Sequence, residues 1–323
     1  MVVVLTLLLS ACSIYEPTGG AGGSGKIRVA VVPKAIGFDF WEQVRIGAEC
    51  AGATDTDINL HWDGVTSEED VSGQQNLLQD LLAQGVDGLV YAATDARALA
   101  EVSKTAQQQN TRVVNLDSGT DPQPRGVPVY ATNNVEAARK GTALLAEQLG
   151  DAGDVAYIEF QPGTSTNELR GRGFELGLAE HPGLTLVARQ SSQSDYNTAL
   201  QVTQDILTAN PRLKGIYAGN EPSVLGAAEA VRQAGKAGQI KIVGWDSSEG
   251  QIDALRDGVI TGLIAQNPFE MGYGAVRSVI GKIRGSGESE PNTDTGSMLI
   301  TKQNLESPEI QKILHPSCAD PPQ

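Results

Sequence analysis

The chain has 323 residues, more than a single hydrophobic core usually accommodates, so two domains are expected. With 40% hydrophobic and 20% charged residues it reads as an ordinary globular protein. The formal net charge of −15 opposes polyanionic backbones and acidic membrane surfaces, which excludes nucleic acid as a partner.

Val2 to Leu9 form an apolar run that ends in Leu9-Ser10-Ala11-Cys12. It is too short to span a bilayer and is followed by a polar, Gly-rich stretch, the pattern of an export signal. The basic residues that normally precede such a run are missing, so the start of the reading frame is expected upstream. Leu-Ser-Ala-Cys resembles the bacterial lipoprotein cleavage motif, which implies a signal peptide over residues 1–12 and lipid on Cys12. Gly19, Gly20, Gly22, Gly23 and Gly25 make residues 13–25 a flexible tether to a membrane surface.

Residues 27–32 (Ile-Arg-Val-Ala-Val-Val) read as a buried strand, followed by a Gly-containing loop and a helix starting near Asp39, which is placed to cap its first turn. Phe38, Phe40 and Trp41 crowd the junction. These rings either plug the top of the core or face a ligand at the carboxyl edge of the sheet, where open α/β folds bind ligands. Strand runs then alternate with helical patterns. The expected strands are 58–62, 87–92, 112–116, 128–131, 154–160, 184–189, 214–218, 240–245, 260–265 and 296–301, an α/β pattern of parallel sheets. Glu42, Gly47, Glu49 and Ile58 recur as Glu168, Gly173, Glu175 and Leu184 at an offset of 126, so the halves read as one fold used twice.

Catalytic signatures are absent from this pattern. Gly20 to Lys26 imitates a phosphate loop but has Ile27 where Ser or Thr would hold magnesium. Asp55, Asp57 and Asn59 imitate a calcium loop but have Leu60 at its glycine position. His61, His181 and His315 lack metal-ligand spacing, and no Gly-x-Ser-x-Gly or dinucleotide motif occurs, so neither metal nor cofactor is expected. What recurs is a polar residue at the carboxyl end of an apolar strand: Asp117-Ser118, Asn220-Glu221, Asp246, and Gln266-Asn267. Each alone could cap the next helix. Together with Phe40 and Trp41 they form the inventory of a sugar site, in which carboxylates and amides meet hydroxyls and rings cover C–H surface.

Over residues 27–314 the chain resembles the type I periplasmic solute-binding proteins of bacterial ABC transporters, ribose-binding group. The likeness is carried by Phe40-Trp41, Asp117-Ser118-Gly119, Thr164-Ser165, Arg170-Gly171-Arg172-Gly173-Phe174, Gly219-Asn220-Glu221, Val243-Gly244-Trp245-Asp246 and Ala265-Gln266-Asn267-Pro268. It implies two doubly wound parallel-sheet lobes. The first takes residues 26–132 plus 268–293, the second 133–267 plus 294–318, with a three-segment hinge near 132–134, 266–268 and 292–296. It also implies that Phe40 and Trp41 sandwich a monosaccharide, while Asp117, Ser118, Arg170, Asn220, Asp246 and Gln266 surround its polar atoms. Two departures point away from ribose itself: relatives often have Arg where Ser118 stands, and an aromatic where Ser194 and Tyr196 flank Asp195.

The expected function is capture of a ribose-like sugar outside the cytoplasm by a lipid-anchored monomer that serves an ABC permease. A sensory lipoprotein feeding a chemoreceptor or kinase, and an α/β enzyme using Asp117 or Asp246 as base, are the alternatives. With Cys12 lipidated, Cys50 and Cys318 remain as a pair in an oxidising compartment. They either bridge or, for Cys50, pack as a small hydrophobe.

Overall fold

The computed structural model describes residues 25–286 and 291–319. Cys12, the expected leader and the tether up to residue 24 lie outside the described residues. Among those described, no helix is long and apolar enough to cross a membrane.

The chain runs β1 (Ile27–Val32), α1 (Asp39–Ala53), β2 (Ile58–Trp62), α2 (Val71–Ala83), β3 (Gly88–Tyr91), α3 (Ala100–Gln108), β4 (Arg112–Leu116), β5 (Val129–Ala131) and α4 (Asn134–Gln148). It continues with β6 (Gly153–Glu159), α5 (Ser165–Glu180), β7 (Leu184–Ser191), α6 (Tyr196–Ala209), β8 (Leu213–Ala218), α7 (Glu221–Gln233), β9 (Lys241–Trp245), α8 (Glu249–Arg256) and β10 (Gly262–Gln266). It ends with α9 (Pro268–Ile283), β11 (Thr293–Asp294), β12 (Ser297–Ile300) and α10 (Pro308–Leu314). The expected strands all form. The two-residue β11 was not expected, since Thr-Asp is too short to show alternation.

Two sheets result, ordered β11-β5-β4-β3-β1-β2 and β12-β10-β9-β8-β6-β7, the same path traced twice. All pairings are parallel except β10 with β12. Apolar clusters cover both faces of each sheet, which is why the inner strands read as continuous Val, Ile, Leu and Ala.

The halves exchange one helix each. Helix α4 follows β5 of the first sheet but packs Ala137, Ala138 and Leu145 into the second lobe with Val155 and Phe174. Helix α9 follows β10 of the second sheet but packs Ala275, Val276 and Val279 into the first with Val29 and Val44. The chain therefore crosses between lobes after β5, after β10 and between β11 and β12.

This exchange explains the repeated glycine. A Cβ on Gly47 of α1 would lie 2.0 Å from the Phe269 carbonyl oxygen of α9, and one on Gly173 of α5 would lie 2.3 Å from the Val135 oxygen of α4. In each lobe, the helix after the first strand touches the incoming helix backbone to backbone, and only glycine leaves that room.

Two local details differ from expectation or extend it. Asp39 does not cap its own helix: Phe38 occupies the N-cap without a side-chain hydrogen bond, and Asp39 is the first helical residue. Beyond α10, whose Ile310 is buried in the second-lobe core, the tail returns to the first lobe, where Cys318 is bonded to Cys50 of α1 with Cα atoms 5.5 Å apart.

Candidate functional site

Because both sheets are parallel but for the edge strand β12 and are wound alike, the carboxyl ends of their inner strands face each other across the interlobe cleft, where an open α/β sheet places its ligand crevice. From the first lobe come Lys34, two residues past β1, and Asp117, directly after β4. From the second come Phe160 after β6, Asn220 after β8, Asp246 after β9, and Gln266 at the end of β10. Asp117 and Asp246 stand at equivalent positions of the two sheets, and both adopt positive φ, 53° and 76°. That conformation is uncommon outside glycine and is tolerated by Asp; here it turns the chain sharply at the sheet edge.

The cavity is small, about 280 Å³, and is lined by Lys34, Phe38, Phe40, Trp41, Glu68, Asp117, Phe160, Arg170, Asn220, Glu221, Pro222, Asp246 and Gln266. Its floor is a buried ionic cluster. Lys34 Nζ lies 3.0 Å from Asp117 Oδ2, and Arg170 Nη2 lies 3.9 Å from Asp117 Oδ1. Arg170 is fixed by donating from Nε to Asn134 Oδ1 and from Nη1 to the Gly219 carbonyl, at 2.8 and 2.7 Å. Its guanidinium also stacks 3.8 Å over the Trp245 ring, which leaves Nη2 as the end directed at Asp117.

On the opposite side, Asp246 Oδ1 accepts from Gln266 Nε2 at 2.6 Å and Oδ2 accepts from the Glu221 amide at 2.8 Å. Gln266 Oε1 is buried without a protein partner, an acceptor open to a ligand hydroxyl. Burial raises the Asp246 carboxyl above its ordinary range. Burial, and then the nearby Asp246 charge, push Glu221 up to about 7.

Contacts between the lobes show the cleft closed. Lys34 Nζ donates to Thr166 Oγ1 of α5 at 3.2 Å, and Ser118 Oγ lies 3.0 Å from the same oxygen. Ser194 Oγ donates to Glu68 Oε2 at 2.7 Å, and Glu68 Oε1 accepts from Trp41 Nε1 at 3.4 Å. Glu221 accepts from the Asp39 and Phe40 amides of α1, at 3.3 and 3.1 Å.

Of the residues singled out from sequence, Phe40, Trp41, Asp117, Arg170, Asn220, Asp246 and Gln266 line this one cavity. Ser118 does not line it; its hydroxyl sits behind, donating to Asp117 Oδ2 and meeting Thr166. Asn220 doubles as the cap of α7, its Oδ1 accepting from the Ser223 amide while Nδ2 donates to Ser194 Oγ. Tyr196 is 40% exposed and outside the cavity, so the second-lobe ring is Phe160 instead.

Sequence reasoning missed Lys34, Glu68 and Phe160, and named Glu221 only as a strand-end polar residue beside Asn220. Lys34 follows the strand-end rule that found the others, two residues past β1, whereas Phe160, directly after β6, is an apolar ring that a search for polar strand ends passes over. Glu68 carried no such signal: it sits in the polar run Thr66 to Asp70 and is brought in by the loop after β2, where it is 3% exposed. Among the described residues no cluster of His, Cys, Asp and Glu could hold a metal ion.

Residues 29–287 match the family model described as a periplasmic binding protein domain. A D-ribose/D-allose-binding protein of Pseudomonas aeruginosa is 33% identical over 264 residues, which is 79% of this chain and 82% of that one. A carbohydrate transporter solute-binding protein of Agrobacterium radiobacter in complex with D-arabinose superposes with a TM-score of 0.85 at 28% identity, covering 90% of this chain and 99% of the other. An ABC transporter solute-binding protein of Agrobacterium vitis bound to α-D-tagatopyranose gives 0.84 at 30% identity, covering 90% and 100%. The chain belongs to the periplasmic binding protein domain family.

Proposed function

We propose that the protein captures a single neutral monosaccharide outside the cytoplasm and hands it to an ABC permease, binding by closure of the two lobes. One observation carries the reading: strand-terminal polar groups from both lobes, with rings from both, converge on one cavity of about 280 Å³. Polar groups and rings arriving from both sides suit a small polar ligand with apolar faces, as a single sugar ring is. Phe40 and Trp41 from the first lobe and Phe160 from the second supply apolar cover for C–H faces. Asp117, Asp246 and Gln266 Oε1 accept from hydroxyls, and Arg170 Nη2 donates.

The charge inventory argues for a neutral ligand. Glu68, Asp117, Glu221 and Asp246 line the cavity against Lys34 and Arg170, so a phosphate or uronate would meet an excess of carboxylate. Sharing the ligand's partners between lobes is what lets the ligand favour the closed state, since only differential contacts shift an equilibrium.

The reading extends to the N-terminus on sequence grounds. Leu9-Ser10-Ala11-Cys12 supports a lipid anchor on Cys12, the glycine-rich tether supports a monomer working at the membrane surface, and mass analysis of membrane-extracted protein tests both. Native mass spectrometry of protein purified without refolding, followed by a thermal-shift screen of pentoses and hexoses, tests the ligand. A co-purified or stabilising monosaccharide is expected. Stabilisation by sugar phosphates or acids alone would sink the neutral-sugar reading.

A further inference from the structure

Helix α1 enters the cleft with its first amides uncapped from within its own lobe. Phe38 at the N-cap has no side-chain oxygen, and the Asp39 carboxylate is turned away, with Oδ2 accepting from the Glu249 amide of α8 at 3.4 Å. The first N–H groups of a helix need an acceptor, and its positive dipole end favours an anion. Both needs are met from across the cleft: Glu221 Oε1 accepts from the Asp39 amide and Oε2 from the Phe40 amide. We propose that Glu221 is a positioning residue for ligand capture, its carboxylate capping α1 of the opposite lobe only when the lobes close and so fixing Phe40 and Trp41 against the ligand. The inference rests on the hinge-closure reading above and adds to it a residue that acts through the helix bearing the rings.

The arrangement is reciprocal. Asp39 of the first lobe reaches the start of α8 in the second, while Glu221 of the second reaches the start of α1 in the first. Glu221 is itself placed by Asp246, which accepts its amide. The charged groups facing Glu221 are Asp246 on its own lobe and Asp39 across the cleft; Glu68, Asp117, Lys34 and Arg170 share the cavity. Closure therefore desolvates a carboxylate beside other carboxylates, which pushes it up to about 7. In the open, solvated state an ordinary glutamate titrates near 4.3. A raised value in the closed state means that closing takes up a proton. Closure is then favoured as pH falls through 7 and weakened as pH rises above it.

Calorimetric titration at pH 6 and pH 8, with D-ribose, D-allose and D-arabinose as probes, tests this. The parent is expected to bind its best probe roughly tenfold more tightly at pH 6 than at pH 8, from one proton shifted between about 4.3 and 7. Glu221→Gln, which keeps an acceptor oxygen but does not titrate, should flatten that profile. Glu221→Ala should bind roughly two- to thirtyfold more weakly than Glu221→Gln, which keeps a neutral acceptor for the α1 amides, the range for losing a helix cap. Glu221→Ala should still fold with the parent's secondary structure, because it is the Glu221 amide, not its side chain, that Asp246 holds within the second lobe. A Glu221→Gln profile as steep as the parent's, or equal affinities in Glu221→Ala and Glu221→Gln, overturns the proposal. If the parent binds none of the three sugars, the choice of ligand is wrong and the cap is read instead from small-angle scattering. Ligand-free parent should then be more compact at pH 6 than at pH 8, and Glu221→Ala should not; equal radii in parent and variant overturn the proposal.

Discussion

Lys34 and Asp117 form an ion pair at 3.0 Å with side chains only 4% and 2% exposed, so neither charge is relieved by solvent. Removing one partner of a buried pair leaves the other uncompensated, at a cost of about 3–5 kcal/mol. Lys34→Met should therefore weaken ligand binding by more than roughly a hundredfold, partly offset by Arg170, whose Nη2 lies 3.9 Å from the same carboxylate. Lys34→Met combined with Asp117→Asn should lose much less than the sum of the two single changes. A double-mutant cycle by calorimetry checks this, and additivity within about 0.5 kcal/mol would show that the two side chains act independently.

The cavity wall should separate from its neighbours by mutation. Asp246→Ala removes a charged acceptor of both Gln266 Nε2 and the Glu221 amide, for which about 1.5–3 kcal/mol, or roughly ten- to hundredfold in affinity, is expected. Phe160→Ala removes the second-lobe ring and should cost at least as much. Glu68 and Glu69 make an internal control, since one is buried between Trp41 and Ser194 and the other is exposed. Glu68→Ala should weaken binding and Glu69→Ala should leave it unchanged. Equal effects from these adjacent glutamates would contradict the cleft geometry.

Legibility in the sequence followed how local the cause was. The strand runs were readable because each inner strand is buried on both faces and shows it as an unbroken apolar run, as in Val29 to Val32. Asp117, Asp246 and Gln266 were readable because a polar side chain at the end of such a run is conspicuous. Asp39 was misplaced for the opposite reason: its acceptor role is fulfilled across the cleft at Glu249, a contact that no local pattern encodes. Glu68, and the cross-cleft partners of Glu221, were hidden in the same way, each contact joining residues more than a hundred positions apart. The Gly47 and Gly173 echo was visible as a repeat, but its cause, the exchanged helices α9 and α4, appears only when the lobes are assembled.

That exchange predicts a stability effect unconnected with ligand. In Gly47→Ala the new methyl would meet the Phe269 carbonyl oxygen, a backbone atom that cannot rotate away, so α1 and α9 must separate. Overpacking of this kind costs about 1–3 kcal/mol or more. Gly173→Ala should behave alike against Val135. Gly235→Ala is the contrast: there is open space around it, but φ is +65°, so its penalty is conformational strain alone. Urea unfolding of the three variants should rank the two helix-contact glycines as more damaging. The reverse order would mean that the helices have slack in their packing.

The Cys50–Cys318 bond adds a covalent link between lobes to the three chain crossings. Helix α10 is anchored in the second lobe through Ile310, while Cys50 belongs to α1 of the first. Only His315, Pro316 and Ser317 separate Leu314 from Cys318, so the connecting chain can span no more than roughly 14 Å when extended. A bond across 268 residues of separation has a chain-entropy contribution of about 5.6 kcal/mol, to which native-state effects add or subtract. Denatured, unreduced mature protein should contain no titratable Cys50 or Cys318 thiol. Cys50→Ser with Cys318→Ser should lower the unfolding midpoint by several degrees. It should also widen the ligand-free protein in solution scattering, because the lobes would be held by the hinge alone. Sugar-bound protein should keep the parent's radius, since the closed state is set by contacts inside the cleft. A ligand-free radius identical to the parent's, with stability lowered, would mean that the tail staples α10 in place without limiting how far the lobes open.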